Sequence, residues 1–190
     1  MATSPEKPLR ADAQRNREKL LAAAVDAFAE CGDDASLEGV ARRAGVGIGT
    51  LYRHFPTRDA LVEEAYRTEV AHLGEAADDL LADHPPDEAL ALWLDRFVEY
   101  SAAKRGMLVA LRALAEGQDD YFASTRDQIT GALTRLLDAA QAAGTVRKDV
   151  DAGDIFRATK AIFVMSEDDD WQPNARKLLA LLMDGLRAGS

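Results

Sequence analysis

Residues 36–55 read SLEGVARRAGVGIGTLYRHF. Ser36 offers an N-cap oxygen to a short helical stretch, Leu37–Ala44. Gly45-Val46 interrupts that stretch, and a further short helix runs from about Gly47 to His54. Pro56 closes it, because the residue before a proline is pushed out of helical geometry. Leu37, Val40, Ala41, Val46 and Leu51 supply an apolar wedge between the two helices, which leaves Thr50, Tyr52, Arg53 and His54 facing outward. A short helix, a glycine turn and a second helix with an exposed N-terminal face are the parts of a helix-turn-helix, whose second helix enters the major groove of DNA. Small residues at 47 and 49 let that helix approach a base-pair edge, at about 1 kcal/mol of helix propensity for each glycine.

The charge pattern around this segment agrees with an anionic partner. The chain carries a net charge of −10, which by itself argues against nucleic acid. Residues 1–58, however, hold nine Lys/Arg against eight Asp/Glu, while residues 59–190 hold 14 against 25. From Gly39 to Arg58 there are four arginines (42, 43, 53 and 58) and no acid. A basic surface at one end of an acidic chain suggests a specific anionic partner there, which for a helix-turn-helix is double-stranded DNA, and not a protein that coats nucleic acid. A chance gap in the acids is the competing explanation.

Outward from the motif the chain reads as all-α. Alanine (36) and leucine (23) far outnumber valine and isoleucine (14 together), a ratio that favours helix over sheet. Helical spacing of apolar residues predicts helices at about 10–31, 37–44, 47–54, 57–82, 86–104, between Gly106 and Gly117, 120–143, 151–165 and 174–187, about nine in all. Gly32 stands where a left-handed cap ends the first, and Thr57, with Asp59 in the first turn, caps the fourth. Residues 1–9, with Pro5 and Pro8, read as a loose basic arm. The expected organisation is a three-helix DNA-binding domain at 1–56, joined by the long fourth helix to a helical bundle within 57–190. No apolar run reaches the ~18 residues needed to cross a bilayer, and MATSPEKPLR lacks a secretory signal's apolar stretch, so a soluble, cytoplasmic protein without a membrane partner is expected.

The N-terminal region resembles the DNA-binding domain of the tetracycline-repressor (TetR) family of transcriptional regulators. AAAVDAFAECG (22–32), VARRAGVGIGTLYRHF (40–55) and TRDAL (57–61) carry the resemblance, which covers about residues 14–70. It implies an all-α homodimer whose C-terminal domain binds a small molecule and so controls release from an operator. It also implies that Tyr52 and His54 grip the phosphate backbone, that Thr50 faces the groove, and that Arg58 binds phosphate at the start of the fourth helix. Ser36 would cap its helix and touch phosphate with the same hydroxyl. Two positions depart from the family pattern: Gly47 stands where a capping serine is common, and Leu37 where a polar residue is common. Arg53 suits either guanine reading, worth about 1–3 kcal/mol of discrimination, or phosphate binding. Arg42 and Arg43 are adjacent, so at most one of them, taken as Arg43, faces DNA, and the other is a solvated helix charge. Phe55 is read as core.

For the C-terminal domain the reading is less specific. In the family the last two long helices pair with their symmetry mates, which places Ile155, Ile162, Leu178, Leu179, Leu182 and Leu186 at a dimer interface; apolar stripes closing the monomer's own core are the alternative. Trp93, Phe97, Tyr100, Met107, Tyr121, Phe156 and Phe163 are candidates for a ligand pocket, or for ordinary core packing. No cofactor, metal site or enzymatic activity is expected. Glu69-x-x-His72 lacks further ligands, lone Cys31 reads as a small structural residue, and Glu167-Asp168-Asp169-Asp170 reads as a solvated loop. The sequence thus points to a ligand-released dimeric repressor. The alternative is a ligand-independent or partner-controlled DNA-binding protein whose C-terminal domain only dimerises.

Overall fold

In a computed structural model that describes residues 6–116, 121–165 and 171–188, the chain is built from helices. In order these are α1 (Glu6–Cys31), α2 (Leu37–Ala44), α3 (Ile48–His54), α4 (Arg58–Asp83), α5 (Pro86–Gly106), α6 (Leu108–Ala115), α7 (Ala123–Ala142), α8 (Ala152–Met165) and α9 (Trp171–Leu186), with a 3₁₀ turn at Gly32–Asp34 after α1. The only β pairing among the described residues is an isolated bridge between Val146 and Arg187. The all-α architecture expected from the alanine–leucine composition is the one observed.

Several boundaries differ from the expectation, among them the start of α7, at Ala123 rather than 120. α1 begins at Glu6 and α9 at Trp171, earlier than the prolines at 8 and 173 suggested. Both prolines sit in a first turn, where the missing N–H would have had no intrahelical acceptor. Residues 1–5 of the expected arm lie outside the described residues. α5 continues to Gly106, where the lack of a side chain lets the helix press against α1: a Cβ there would come within 1.8 Å of the Phe28 carbonyl oxygen. Any larger residue would drive one backbone into another.

The chain divides into two compact units. The first comprises Met1–Thr68 and Ala103–Asp119, so the end of α5 and all of α6 pack with the N-terminal helices. Its core holds Leu20, Ala24, Phe28, Val40, Leu51, Leu61, Val62, Met107 and Leu111, all buried. Lys104 lies over the Tyr66 ring at 5.6 Å. The second unit comprises Glu69–Ala102 and Asp120–Ser190. Leu90, Trp93, Leu94, Leu133, Leu136 and Ile155 are fully buried in it. α8 opens with a reciprocal cap: the Asp154 N–H donates to Asp151 at 2.8 Å and the Asp151 N–H donates to Asp154 at 3.0 Å. The chain end is tied to the α7–α8 connection by the Arg147 N–H on the Leu186 carbonyl (2.9 Å) and the Ala188 N–H on the Thr145 carbonyl (3.0 Å).

Candidate nucleic-acid interface

The face of interest is made by α2, the turn after it and α3. The Ser36 hydroxyl accepts the Gly39 N–H at 3.0 Å, with Ser36 in the extended conformation of an N-cap. At the other end of α2, Gly45 takes φ +68°, its N–H donates to the Arg42 carbonyl at 3.1 Å, and the Val46 N–H donates to the Ala41 carbonyl at 3.0 Å. This pair of bonds is a Schellman closure, and its positive φ explains the glycine. Gly47 then starts α3 without a side-chain cap, its carbonyl accepting the Thr50 N–H at 2.8 Å. Val40, Ala41 and Leu51 are buried, while Leu37 and Val46 are half-buried, so the apolar wedge sits between the two helices as expected.

What α3 leaves exposed is Gly47, Ile48, Gly49, Tyr52 and Arg53; Thr50 and His54 are half-buried. Tyr52 is 46% exposed, too open for a core residue, whereas Phe55 is buried under the Arg17 guanidinium, 5.5 Å from its ring centre. Arg53 folds back along its own helix, donating to Thr50 Oγ1 at 3.0 Å and to the Gly49 carbonyl at 3.3 Å. Its guanidinium therefore covers Thr50.

The remaining candidates are engaged within the unit. Arg43 donates to both carboxylate oxygens of Glu30, at 2.8 Å in one of the two bonds. That hydrogen bond holds the Glu30 carboxyl below the usual carboxylate range and raises Arg43. The side chain of its neighbour Arg42 is exposed and has no partner among the described residues. Arg58, at the start of α4, donates to the Ala35 carbonyl at 2.9 Å and lies over the Phe28 ring. The Thr57 hydroxyl caps the same helix by accepting the Ala60 N–H at 3.1 Å. None of these long-range pairings leaves a local signal in the sequence.

In the second unit, four of the seven pocket candidates join Phe97. Its ring centre lies 5.7 Å from Trp93, 5.4 Å from Tyr100, 6.5 Å from Phe156 and 5.3 Å from Phe163. Trp171, which the sequence reading missed, extends the group against Phe163 at 5.6 Å. The buried Trp93 indole donates to the Leu73 carbonyl at 2.8 Å, so its polar atom is satisfied by the chain itself. Two candidates fall elsewhere: Met107 is buried in the first unit, and Tyr121 packs on Phe122 at 4.9 Å.

The apolar stripes of α8 and α9 also need correction. Ile155, Leu179 and Leu186 are buried within their own unit and cannot face a partner. The outward apolar residues are Val164 and Leu181, each 66% exposed, and Leu178, with Ile162 and Leu182 half-buried beside them. Cys31 is exposed rather than a packed small residue. Glu69 and His72 form an i,i+3 pair at 3.7 Å, and no group of three metal-ligating side chains occurs among the described residues. The run 167–170 lies outside the described residues. No helix there is long and apolar enough to cross a membrane.

Two short helices packed around a Schellman turn, with the second exposing its first turn, define a helix-turn-helix protein with a second, separate helical unit. Residues 20–65 match the model of bacterial regulatory proteins of the tetR family, and residues 85–188 match that of the SbtR-like transcriptional regulator C-terminal domain. The chain belongs to the TetR family. It is similar to the TetR transcriptional regulator SCO0520 from Streptomyces coelicolor, at 50% identity over 92% of this chain and 99% of that one, with a TM-score of 0.84. A TetR transcription regulatory protein from Mycobacterium vanbaalenii is 40% identical over 95% of this chain and 99% of that one, with a TM-score of 0.75. The transcriptional regulator BetI from Serratia proteamaculans is 37% identical over 78 residues, 39% of each chain. This chain spans 39% to 58% of the length of the curated relatives it matches.

Proposed function

We propose that the chain is a cytoplasmic transcriptional repressor that binds a palindromic operator as a homodimer and leaves it when a small molecule binds the second unit. The observation that carries this reading is the exposed first turn of α3, where Gly47, Ile48, Gly49, Tyr52 and Arg53 form an acid-free face beside the capped start of α2. On this reading Tyr52, His54 and Ser36 hold the phosphate backbone, Gly47 admits it closely, and Thr50 and Arg53 face the groove. Arg43 reaches a phosphate only by sharing or leaving Glu30. The resemblance gives Arg58 a phosphate as well.

The outward face of Val164, Leu178 and Leu181 is the part of α8 and α9 suited to a second copy. Two copies would hold their α3 helices about 34 Å apart, one turn of DNA. α4 runs through both units' residue ranges, so a ligand acting on its far part changes that spacing. A ligand that drives a 1:99 to 99:1 switch must prefer the unbound state by ~5.5 kcal/mol.

A second reading has one observation in its favour. The rings around Phe97 pack on one another and the Trp93 N–H is already satisfied, as in a core that serves only folding and dimerisation. Binding of the purified chain to the DNA flanking its own gene, across a salt series with competitor DNA, tests the main proposal. Tight, salt-sensitive binding to one palindromic site supports it; equal binding to every fragment contradicts it.

A further inference from the structure

The Arg58 side chain turns back from the start of α4 across the first unit. Its Nη1 donates to the Ala35 carbonyl at 2.9 Å, and its Nη2 lies 3.7 Å from Asp33 Oδ1. Its guanidinium carbon stands 5.2 Å from the centre of the Phe28 ring. Phe28 is fully buried, and the approach of Gly106 to its carbonyl fixes it from behind. The platform under the arginine therefore has little freedom to move.

Ala35, itself buried, immediately precedes Ser36, the residue whose hydroxyl caps α2. Without Arg58 the Ala35 carbonyl would lose its side-chain donor, and the entry into α2 would lose its only side-chain anchor to α4 among the described residues. Little of the guanidinium remains for a phosphate. One nitrogen is on Ala35, another faces a carboxylate that would repel an arriving anion, and one face is on Phe28.

We propose that Arg58 is a positioning residue for DNA binding: it sets the start of α2, and through α2 the reading face, without contacting DNA. The inference rests on the operator-binding reading above and departs from the phosphate role that the family resemblance gives this position.

The test compares wild type, Arg58→Ala, Arg58→Lys and Phe28→Leu for operator affinity against salt, at a temperature well below each variant's melting point. A lysine keeps the charge and still binds a phosphate as a point charge, but it cannot stack flat and donate to Ala35 in the same geometry. We expect both Arg58 variants to bind at least tenfold more weakly with the wild-type slope of log affinity against log salt. Phe28→Leu, which removes no charge, moves in the same direction. Two results overturn the proposal. The first is a slope lowered by about 0.9 in Arg58→Ala with Arg58→Lys near wild type, the signature of a lost phosphate contact. The second is unchanged affinity in folded variants of lowered melting point, the signature of a merely structural residue. If the wild-type chain finds no operator, the operator-binding reading falls and this one with it; binding by wild type with either overturning result removes the positioning role alone.

Discussion

The two units of this chain are held by different chemistry. In the first, helices as short as eight and seven residues are fixed by arginines that reach across elements: Arg17 to Glu64 and Phe55, Arg43 to Glu30, Arg58 to Ala35 and Phe28. In the second, helices of 20, 14 and 16 residues bury aliphatic stripes beside a group of rings, and the cross-element pairs Arg135–Asp78 and Arg176–Asp95 come in addition to that packing. Short helices are not stable alone, so a small unit that must keep α3 exposed fixes the elements around it with caps, clamps and one close backbone approach. A unit of long helices draws mainly on packing. Substitutions should therefore act locally and polarly in the first unit, and through volume and buried hydrogen bonds in the second.

The largest effect expected from this contrast is at Gly106. Gly106→Ala places a Cβ against the Phe28 carbonyl, where neither backbone can yield cheaply, and should destabilise the chain by about 3 kcal/mol or more. Urea unfolding measures it, and an unchanged midpoint would show that α5 and α1 are not in contact there. Next comes Trp93→Phe in the second unit. It removes the indole's bond to the Leu73 carbonyl, which keeps its helical partner within α4, together with part of a buried ring, and should cost about 1–3 kcal/mol while leaving operator affinity at low temperature unchanged. A loss of affinity in this folded variant would mean that the rings around Phe97 do more than pack.

The smallest effect tests the clamps. The Glu64 carboxyl is held below its ordinary value of 4.5 by its hydrogen bond to Arg17. A depressed folded-state pKa stabilises above the unfolded value and ceases to as pH falls through the folded one. Glu64→Gln should therefore be less stable than wild type at pH 7, by about 1 kcal/mol or less for a half-buried, water-accessible pair. The difference should shrink below about pH 4.5 and vanish in stronger acid. A difference that persists in acid would assign the effect to packing rather than charge.

How much of this was legible in the sequence follows the same division. The caps at Ser36, Thr57 and Asp151/Asp154, the left-handed glycines at 32 and 45 and the wedge of α2 on α3 are local, so residue type and spacing reveal them. The partners of Arg43 and Arg58 lie 13 and 23 residues away, and nothing in the intervening chain announces them. Nor does the sequence reveal that Gly106 meets α1, which is why the corner of α5 and α6 was read as part of the C-terminal bundle. In α8 and α9 the spacing showed apolar stripes but not which edge points outward: Leu178 and Leu179 are adjacent, one exposed and one buried. The aromatic residues were visible as types, while their convergence on Phe97 depends on how α5 and α8 cross.

The most direct test of the central claim, that the first turn of α3 is the surface that meets DNA, is a paired measurement on Gly49→Ala. Gly49 has an ordinary helical backbone, and a Cβ there would meet nothing within 4 Å, so nothing inside the protein calls for glycine. The variant should melt higher, gaining about 0.5–1 kcal/mol from helix propensity, and yet bind the operator at least tenfold more weakly. A variant that is more stable and binds as tightly as wild type would show that α3 does not lie against DNA.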